Sequence, residues 1–276
     1  MQAQDKRIWR SPEEMVEIGF QRSPVVMMNE AHSGMKRCIR TRQIGKRILP
    51  VAHQAGVRQL AMEALFPAFA EYGNRTRQLI EGNLGYLSQP EMRDLIQTAL
   101  DLGWTLIPYE CDNFEWLSGK HGIDFSNADE KEKIRQWQHY QSEFTGLEFT
   151  NWREEQQALN IIKALDSLPA GARMLVWCGN NHHSKKAEDG WQPMGYQFQR
   201  HSGLDPFVID QIPTVRFDPT DDFFETEFIP PFSEELAKHG GTAGFLMEEM
   251  PASFARFGFE GLGEDAVVVS TQNDLE

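Results

Sequence analysis

The chain has 276 residues, 40% of them apolar and 25% charged. That is ordinary globular usage, which excludes wholesale disorder, and the length is enough to bury a core without disulfide or metal staples. With 27 Lys and Arg against 41 Asp and Glu the formal net charge is -14; a surface that acidic repels phosphate backbones and anionic lipid, so neither nucleic acid nor a membrane surface is an expected partner.

No apolar run approaches the ~18 residues that a membrane span needs. The first residues carry no apolar signal region. Cys38, Cys111 and Cys178 are too few and too far apart for a disulfide framework or a zinc knuckle. The expectation is a cytoplasmic protein with reduced thiols.

Short apolar runs alternate with helical patterns along most of the chain. Residues 25–28, Val-Val-Met-Met after Pro24, predict a buried strand, and a helix follows over about 35–55 with Gly56 as its stop. A second strand is predicted over 59–65, broken at Pro67. Met92, Leu95, Ile96, Ala99 and Leu100 form one apolar stripe and predict a helix over 91–102, with a Ser88/Glu91 capping box, Pro90 in its first turn and Gly103 at its end. Residues 104–110 predict a third strand, 112–128 a loop, and 129–141 at most a weakly amphipathic helix.

A further helix is predicted over 152–168, with Asn151 and Glu154 as a cap pair and Ala158, Ile161, Ile162 and Leu165 as its apolar face. Strand four is expected at 174–178, a helix or turn near 193–202, and strand five at 207–212. The alternation predicts an α/β fold: an open, mostly parallel sheet with helices on both faces, formed by residues 1–212. Residues 213–276 differ, with several prolines, a run of phenylalanines and a strand pattern at 266–270. Two readings stand for this stretch, an extension wrapped on the core and covering the site, or a strand pair that widens the sheet.

Functional groups of an open α/β sheet gather beyond the carboxyl ends of its strands. There the sequence puts Glu30 and His32 after strand one, Glu63 after strand two, Glu110 after strand three, and His182 and His183 after strand four. Carboxylates and imidazoles at four successive strand ends suit a water activated by His and oriented by Glu, or a metal site. Adjacent His182 and His183 point to opposite sides of an extended segment, so at most one of them faces the site. Glu63, flanked by apolar residues, needs a partner.

A basic patch follows His32: Lys36, Arg37, Arg40, Arg42, Lys46 and Arg47. Most of it reads as solvated surface, with Arg40 or Arg37 the expected exception, pairing an anionic substrate or Glu30 and Glu63. Nucleophile-elbow, P-loop, GxGxxG and HExxH motifs are absent. The Trp and Phe residues read as core.

Glu30-Ala31-His32 after an apolar strand, then Leu60-Ala61-Met62-Glu63, then Arg153-Glu154 on a helix with Ala158, Asn160 and Ile161, then the strand that runs from Met174 through Gly179-Asn180-Asn181-His182, and finally Met194-Gly195 resemble the erythromycin esterase / ChaN-like superfamily. That group includes TIKI/TraB-like proteins and a domain of the Pasteurella toxin. The likeness spans roughly residues 24–212 in order. Asn29 stands where the group usually has Gly, and His183 doubles its second histidine.

The resemblance implies a site carried by Glu30, His32, Glu63, Arg153 and His182; beside it, Arg40, Glu110, Glu154 and His183 are the expected substrate contacts. His32 would deprotonate water, Glu30 or Glu63 would orient it, His182 would be the proton partner, and Arg153 would hold a carboxylate or the developing oxyanion. If a divalent transition metal takes part, His32, Glu63 and His182 would ligate it. The leading expectation is a hydrolase of a small ester, lactone or amide. The alternatives are a ChaN-like protein that binds haem or a metal without catalysis, and a toxin-like module with a degenerate site. A homo-oligomer is compatible with the sequence.

Overall fold

A computed structural model gives the structure of residues 8–30, 35–82, 84–212, 236–252, 254 and 263–270, with side chains of 35–38 outside the described set. Seven strands are described: β1 Val25–Glu30, β2 Gln59–Met62, β3 Thr105–Pro108, β4 Met174–Gly179, β5 Phe207–Asp210, β6 Thr242–Leu246 and β7 Ala266–Ser270. They form one sheet in the order β3-β2-β4-β1-β5-β7-β6. The pairs β1/β4, β1/β5, β2/β3, β2/β4 and β5/β7 are parallel, and β6/β7 is antiparallel. The expected α/β sheet is therefore present. β6 and β7 widen it beyond β5, which is the strand-pair arrangement for those two segments; residues 213–235 lie outside the described set.

The central strands explain their own sequence. Every residue of β1 and of β4 is buried, and a strand covered on both faces reads as a continuous apolar run rather than an alternating one. Alternation still sorts the side chains by face. Val26, Met28, Leu60, Met62, Leu175 and Trp177 join a core packed under α1 (Pro12–Arg22), α2 (Met35–Gln54), α3 (Pro67–Thr76) and α4 (Pro90–Asp101). Val25, Met27, Ala61, Met174, Val176 and Cys178 join the opposite core, under the long helix α7 (Leu147–Asp166) and α8 (Met194–Ser202). A slip of one residue in β1 would exchange the two sets.

The strand order positions the site. β4 inserts between β1 and β2, although it comes after β3 in the chain. The chain runs from β1 through α2 to β2 on one side and from β4 through α8 to β5 on the other, so the order reverses between the neighbours β1 and β4; in open α/β sheets the crevice at the carboxyl ends of such a pair is where ligands bind.

Several local expectations are corrected. The Ser88/Glu91 capping box does not form: the N-cap of α4 is Gln89 with no side-chain cap, and Ser88 Oγ instead donates to Gly82 O and accepts from Leu84 N. α7 begins at Leu147, so Asn151 lies within it and is not a cap. Residues 112–128 are not one loop, because α5 (Asn113–His121) forms there, capped by the Asp112 carboxylate and ended by Gly122 at φ 67°. α6 (Glu130–His139) is a real helix, capped by Asp129, but buries none of its side chains.

α1 and α3 carry plainer start signals: a true capping box of Ser11 and Glu14 around Pro12, and Pro67 in the first turn. A satellite core of Trp116, Leu117 and Phe149, flanked by Phe144 and Trp152, holds α5 and the start of α7 together.

Candidate functional site

The carboxylates at the strand ends divide between the two faces. Glu30 has the parity of Met28 and turns toward α2. Arg42 Nε donates to its Oε2 at 2.8 Å, Arg42 Nη2 donates to its Oε1 at 2.9 Å, and Trp177 Nε1 donates to Oε2 at 2.9 Å. The side chains are 1% and 3% exposed for Arg42 and Glu30, so the pair is sealed from solvent. Arg42 also donates to the Gln89 amide oxygen and lies 5.6 Å from the Tyr86 ring centroid.

The described partner of Glu30 is thus Arg42 rather than Arg40, and the side chain of Arg37 lies outside the described set. Arg42 falls on the buried stripe of α2 with Gly45, Leu49 and Ala52, at spacings that share one helix face. Gly45 is required there, since a Cβ would come within 2.7 Å of the Trp177 ring. Arg40 donates to Thr242 Oγ1 on β6 at 3.0 Å. Lys46 and Arg47 pair with Asp94 and Glu13 on the surface, as a solvated patch should.

Glu63 has the opposite parity and turns toward α7. Its Oε1 accepts from Arg153 Nη2 at 2.5 Å and its Oε2 accepts from the Gly179 backbone N–H at 2.9 Å. Glu110 engages the same guanidinium through Nε at 3.1 Å and through Nη2, and Gln157 Nε2 donates to both of its oxygens at 3.0 Å. These groups are partly open: Arg153 is 26% exposed, Glu63 13% and Glu110 29%. Burial works against the Arg153 charge, but the Glu110 hydrogen bond and the charges of Glu63 and Glu110 outweigh it and hold the guanidinium proton more firmly than usual. Arg153 Nη1 engages no described residue.

His182 stands beside this cluster. Its Nδ1 is 2.6 Å from Glu154 Oε1. Glu154 is buried and also accepts from Trp191 Nε1 at 3.2 Å and from the Met194 backbone N–H at 2.7 Å. A carboxylate with other donors around it can only accept, so it fixes the Nδ1–H tautomer and leaves Nε2 uncommitted among the described residues. Burial alone would lower the His182 pKa; the Glu154 charge and hydrogen bond, with a contribution from Glu63, raise it above 6.5 against the opposing charge of Arg153. Those couplings tie Glu63, Arg153, Glu154 and His182 into one electrostatic unit.

The Glu154 carboxylate is thus engaged by His182, Trp191 and the Met194 backbone N–H. Its position was legible: Glu154, Gln157, Ala158 and Ile161 share the buried stripe of α7, and a carboxylate on such a stripe demands partners.

His183 is fully buried, and neither ring nitrogen has a hydrogen-bond partner, so its ring faces the interior. Burial lowers its pKa to about 4, and the charge of Asp210 offsets only part of that. The backbone explains the tight fit: Gly195, at the start of α8, lies where any Cβ would overlap the His183 carbonyl. Nearby, Asn29 donates to Asp210 Oδ1 at 2.8 Å and its side chain and backbone hold Gln211 at 2.9 and 2.7 Å. Asn29 thus locks β1 to the end of β5.

Burial and Glu110 push the Cys111 thiol well up, so it is not a nucleophile at neutral pH. His32 lies outside the described residues. Among those described, no three His, Cys, Asp or Glu side chains come together in a way that could hold a metal ion, and no helix is long and apolar enough to cross a membrane.

No protein-family model matches the chain, and no curated protein matches its sequence. Solved structures do. A protein from Bacillus cereus superposes with a TM-score of 0.58 at 12% identity, over 94% of this chain and 90% of that one. ChaN of Campylobacter jejuni, whose structure is described by cofacial haem binding, superposes with a TM-score of 0.53 at 10% identity, over 97% and 98% of the two chains. A MARTX toxin effector domain from Vibrio vulnificus aligns with a TM-score of 0.43 at 11% identity, over 80% of this chain. This chain spans 38% of the length of that and two further bacterial toxin structures. At such identities the first two similarities establish the architecture alone: the chain has a ChaN-like fold.

Proposed function

We propose that the crevice is a hydrolytic site for a small ester, lactone or amide. The observation that carries the reading is the His182–Glu154 dyad with Nε2 of His182 uncommitted, beside an Arg153 whose Nη1 is also uncommitted. A histidine with one nitrogen anchored on a buried carboxylate is oriented for proton transfer at the other.

The Glu154 carboxylate favours the protonated form of His182, and in that form it donates from Nε2 to the leaving oxygen or nitrogen as the bond to the carbonyl breaks. Arg153 Nη1 stabilises the oxyanion formed when water adds, and Glu63 and Glu110 keep the guanidinium still at that moment. Attack by water on the carbonyl requires a base to take the water proton, a role the resemblance assigns to His32. Glu30 is saturated by Arg42 and Trp177, which leaves Glu63 as the carboxylate nearer the reaction. No step is routed through a metal, because the described carboxylates are already held by Arg153, Gln157 and backbone N–H groups.

The test is a panel of activated esters and lactones, with kcat/KM measured for the parent protein and for His182→Ala. A loss of about 10²–10⁴-fold is expected. Unchanged turnover of every ester that the parent hydrolyses would overturn the assignment.

A second reading, haem binding, is favoured by the end-to-end superposition on ChaN. A haem titration distinguishes it: a saturable Soret shift lost in His182→Ala supports haem binding, and no shift removes it.

A further inference from the structure

The segment after His183 forms a short strap across α7. Glu188 and Trp191 pair across a two-residue turn, Asp189-Gly190, with φ values of 49° and 84°. That left-handed pair is the geometry of a tight hairpin turn, for which Asp-Gly is well suited. Asn151 on α7 clamps the strap twice, donating from Nδ2 to Gly190 O at 2.8 Å and accepting at Oδ1 from Gln192 N at 2.8 Å. One helical turn further along, the strap delivers Trp191 Nε1 to Glu154 Oε1 at 3.2 Å. The same oxygen lies 2.6 Å from His182 Nδ1, and the Trp191 ring stands edge-on to the imidazole with centroids 6.4 Å apart.

We propose that Trp191 is a positioning residue for the His182–Glu154 dyad. Its indole N–H shares the Glu154 oxygen that receives His182, fixing the carboxylate and withholding part of that oxygen's charge from the imidazole. The part played in hydrolysis rests on the proposed function; the effect on His182 does not. Among the described residues, the charged and titratable groups facing His182 are Glu154 and Arg153 from α7, Glu63 from the end of β2, and the adjacent His183. Trp191→Phe removes none of them, so a change in His182 reports on the indole N–H. A hydrogen bond to the charged form of a carboxylate lowers its basicity. Removing the bond makes Glu154 a stronger partner for the His182 proton.

The experiment is an NMR titration of His182 in the parent protein, in Trp191→Phe and in Asn151→Ala. Trp191→Phe keeps an aromatic ring and drops the donor. The His182 midpoint is expected to rise by roughly half a pH unit or more. Asn151→Ala frees the strap without touching the dyad, should shift the midpoint the same way, and serves alone if the Phe variant fails to fold. A midpoint that stays within about 0.1 unit of the parent's, or falls, in the folded variants overturns the proposal. On any ester the protein hydrolyses, the pH profile of kcat/KM is expected to move by the same amount. Failure to find such an ester overturns the hydrolytic reading and leaves the midpoint test of Trp191 intact.

Discussion

Two arginine–carboxylate systems stand at the same edge of one sheet, on opposite faces, and differ in kind. Glu30 and Arg42 are sealed beneath Trp177, joined by two parallel hydrogen bonds. Glu63, Arg153 and Glu110 are partly open, with two carboxylates sharing one guanidinium and a spare Nη1. A sealed one-to-one pair has nothing left to give a ligand, and its energy lies in staying intact. An open two-to-one cluster beside an oriented histidine has unsatisfied capacity, and that is where chemistry is expected. Similar residue types in similar strand positions thus part company through side-chain parity and helix cover.

The comparison breaks most sharply at Arg42. Arg42→Met strands the Glu30 carboxylate in an apolar site, and a loss of about 3–5 kcal/mol is expected in denaturant unfolding; a loss below about 1 kcal/mol would mean that water already reaches the pair. Acid should act next, through His183. The unfolded chain takes up that proton below about 6.5, and the folded chain refuses it until about 4. Stability therefore falls as pH drops between those values, by the order of a few kcal/mol. His183→Leu should flatten that limb of a stability–pH curve.

His182 works in the opposite sense. Its folded pKa lies above 6.5, so its contribution is complete below that value and fades as pH rises through the raised pKa. Removing Arg153 should cost less than removing Arg42, because water can screen the two carboxylates it leaves. Arg153→Gln is expected to lose about 1–2 kcal/mol of stability while kcat/KM falls by at least ~10²-fold. The smallest structural effect belongs to His182→Ala, about 1 kcal/mol by thermal unfolding, since Glu154 keeps two of its donors. A variant at the sealed pair that lost rate before stability would reverse the roles assigned to the two faces.

Much of this was legible in the chain. Apolar runs of four to six residues separated by stripes with helical spacing specify a buried parallel sheet, because both strand faces must be dry and each helix must bury one side. The strand ends near Glu30, Glu63, Glu110 and His182 followed from the same pattern, whereas His182 and His183 take different surroundings from a turn rather than from the extended segment expected. Less legible were the helices around the satellite core, where the apolar face of α6 remains largely exposed and periodicity is weak. Local start signals also misled: Ser88–Glu91 and Asn151–Glu154 fit capping spacing, but Ser88 bonds Gly82 and Leu84 within its own loop, and distant residues 190–194 claimed Asn151 and Glu154.

The sequence by itself determined the fold class, the strand ends and the residue types gathered there, since these depend on local periodicity and chain order. Tertiary structure alone decided which acid meets which base. Arg42 reaches Glu30 because Gly45 lets α2 close on Trp177, and Arg153 bridges Glu63 and Glu110 across 90 and 43 residues of chain. Glu154 becomes the support of His182 because the strap from 188 to 192 folds back on α7. Pairings of buried charge are set by which helix lies over which face, and no spacing along the chain encodes that.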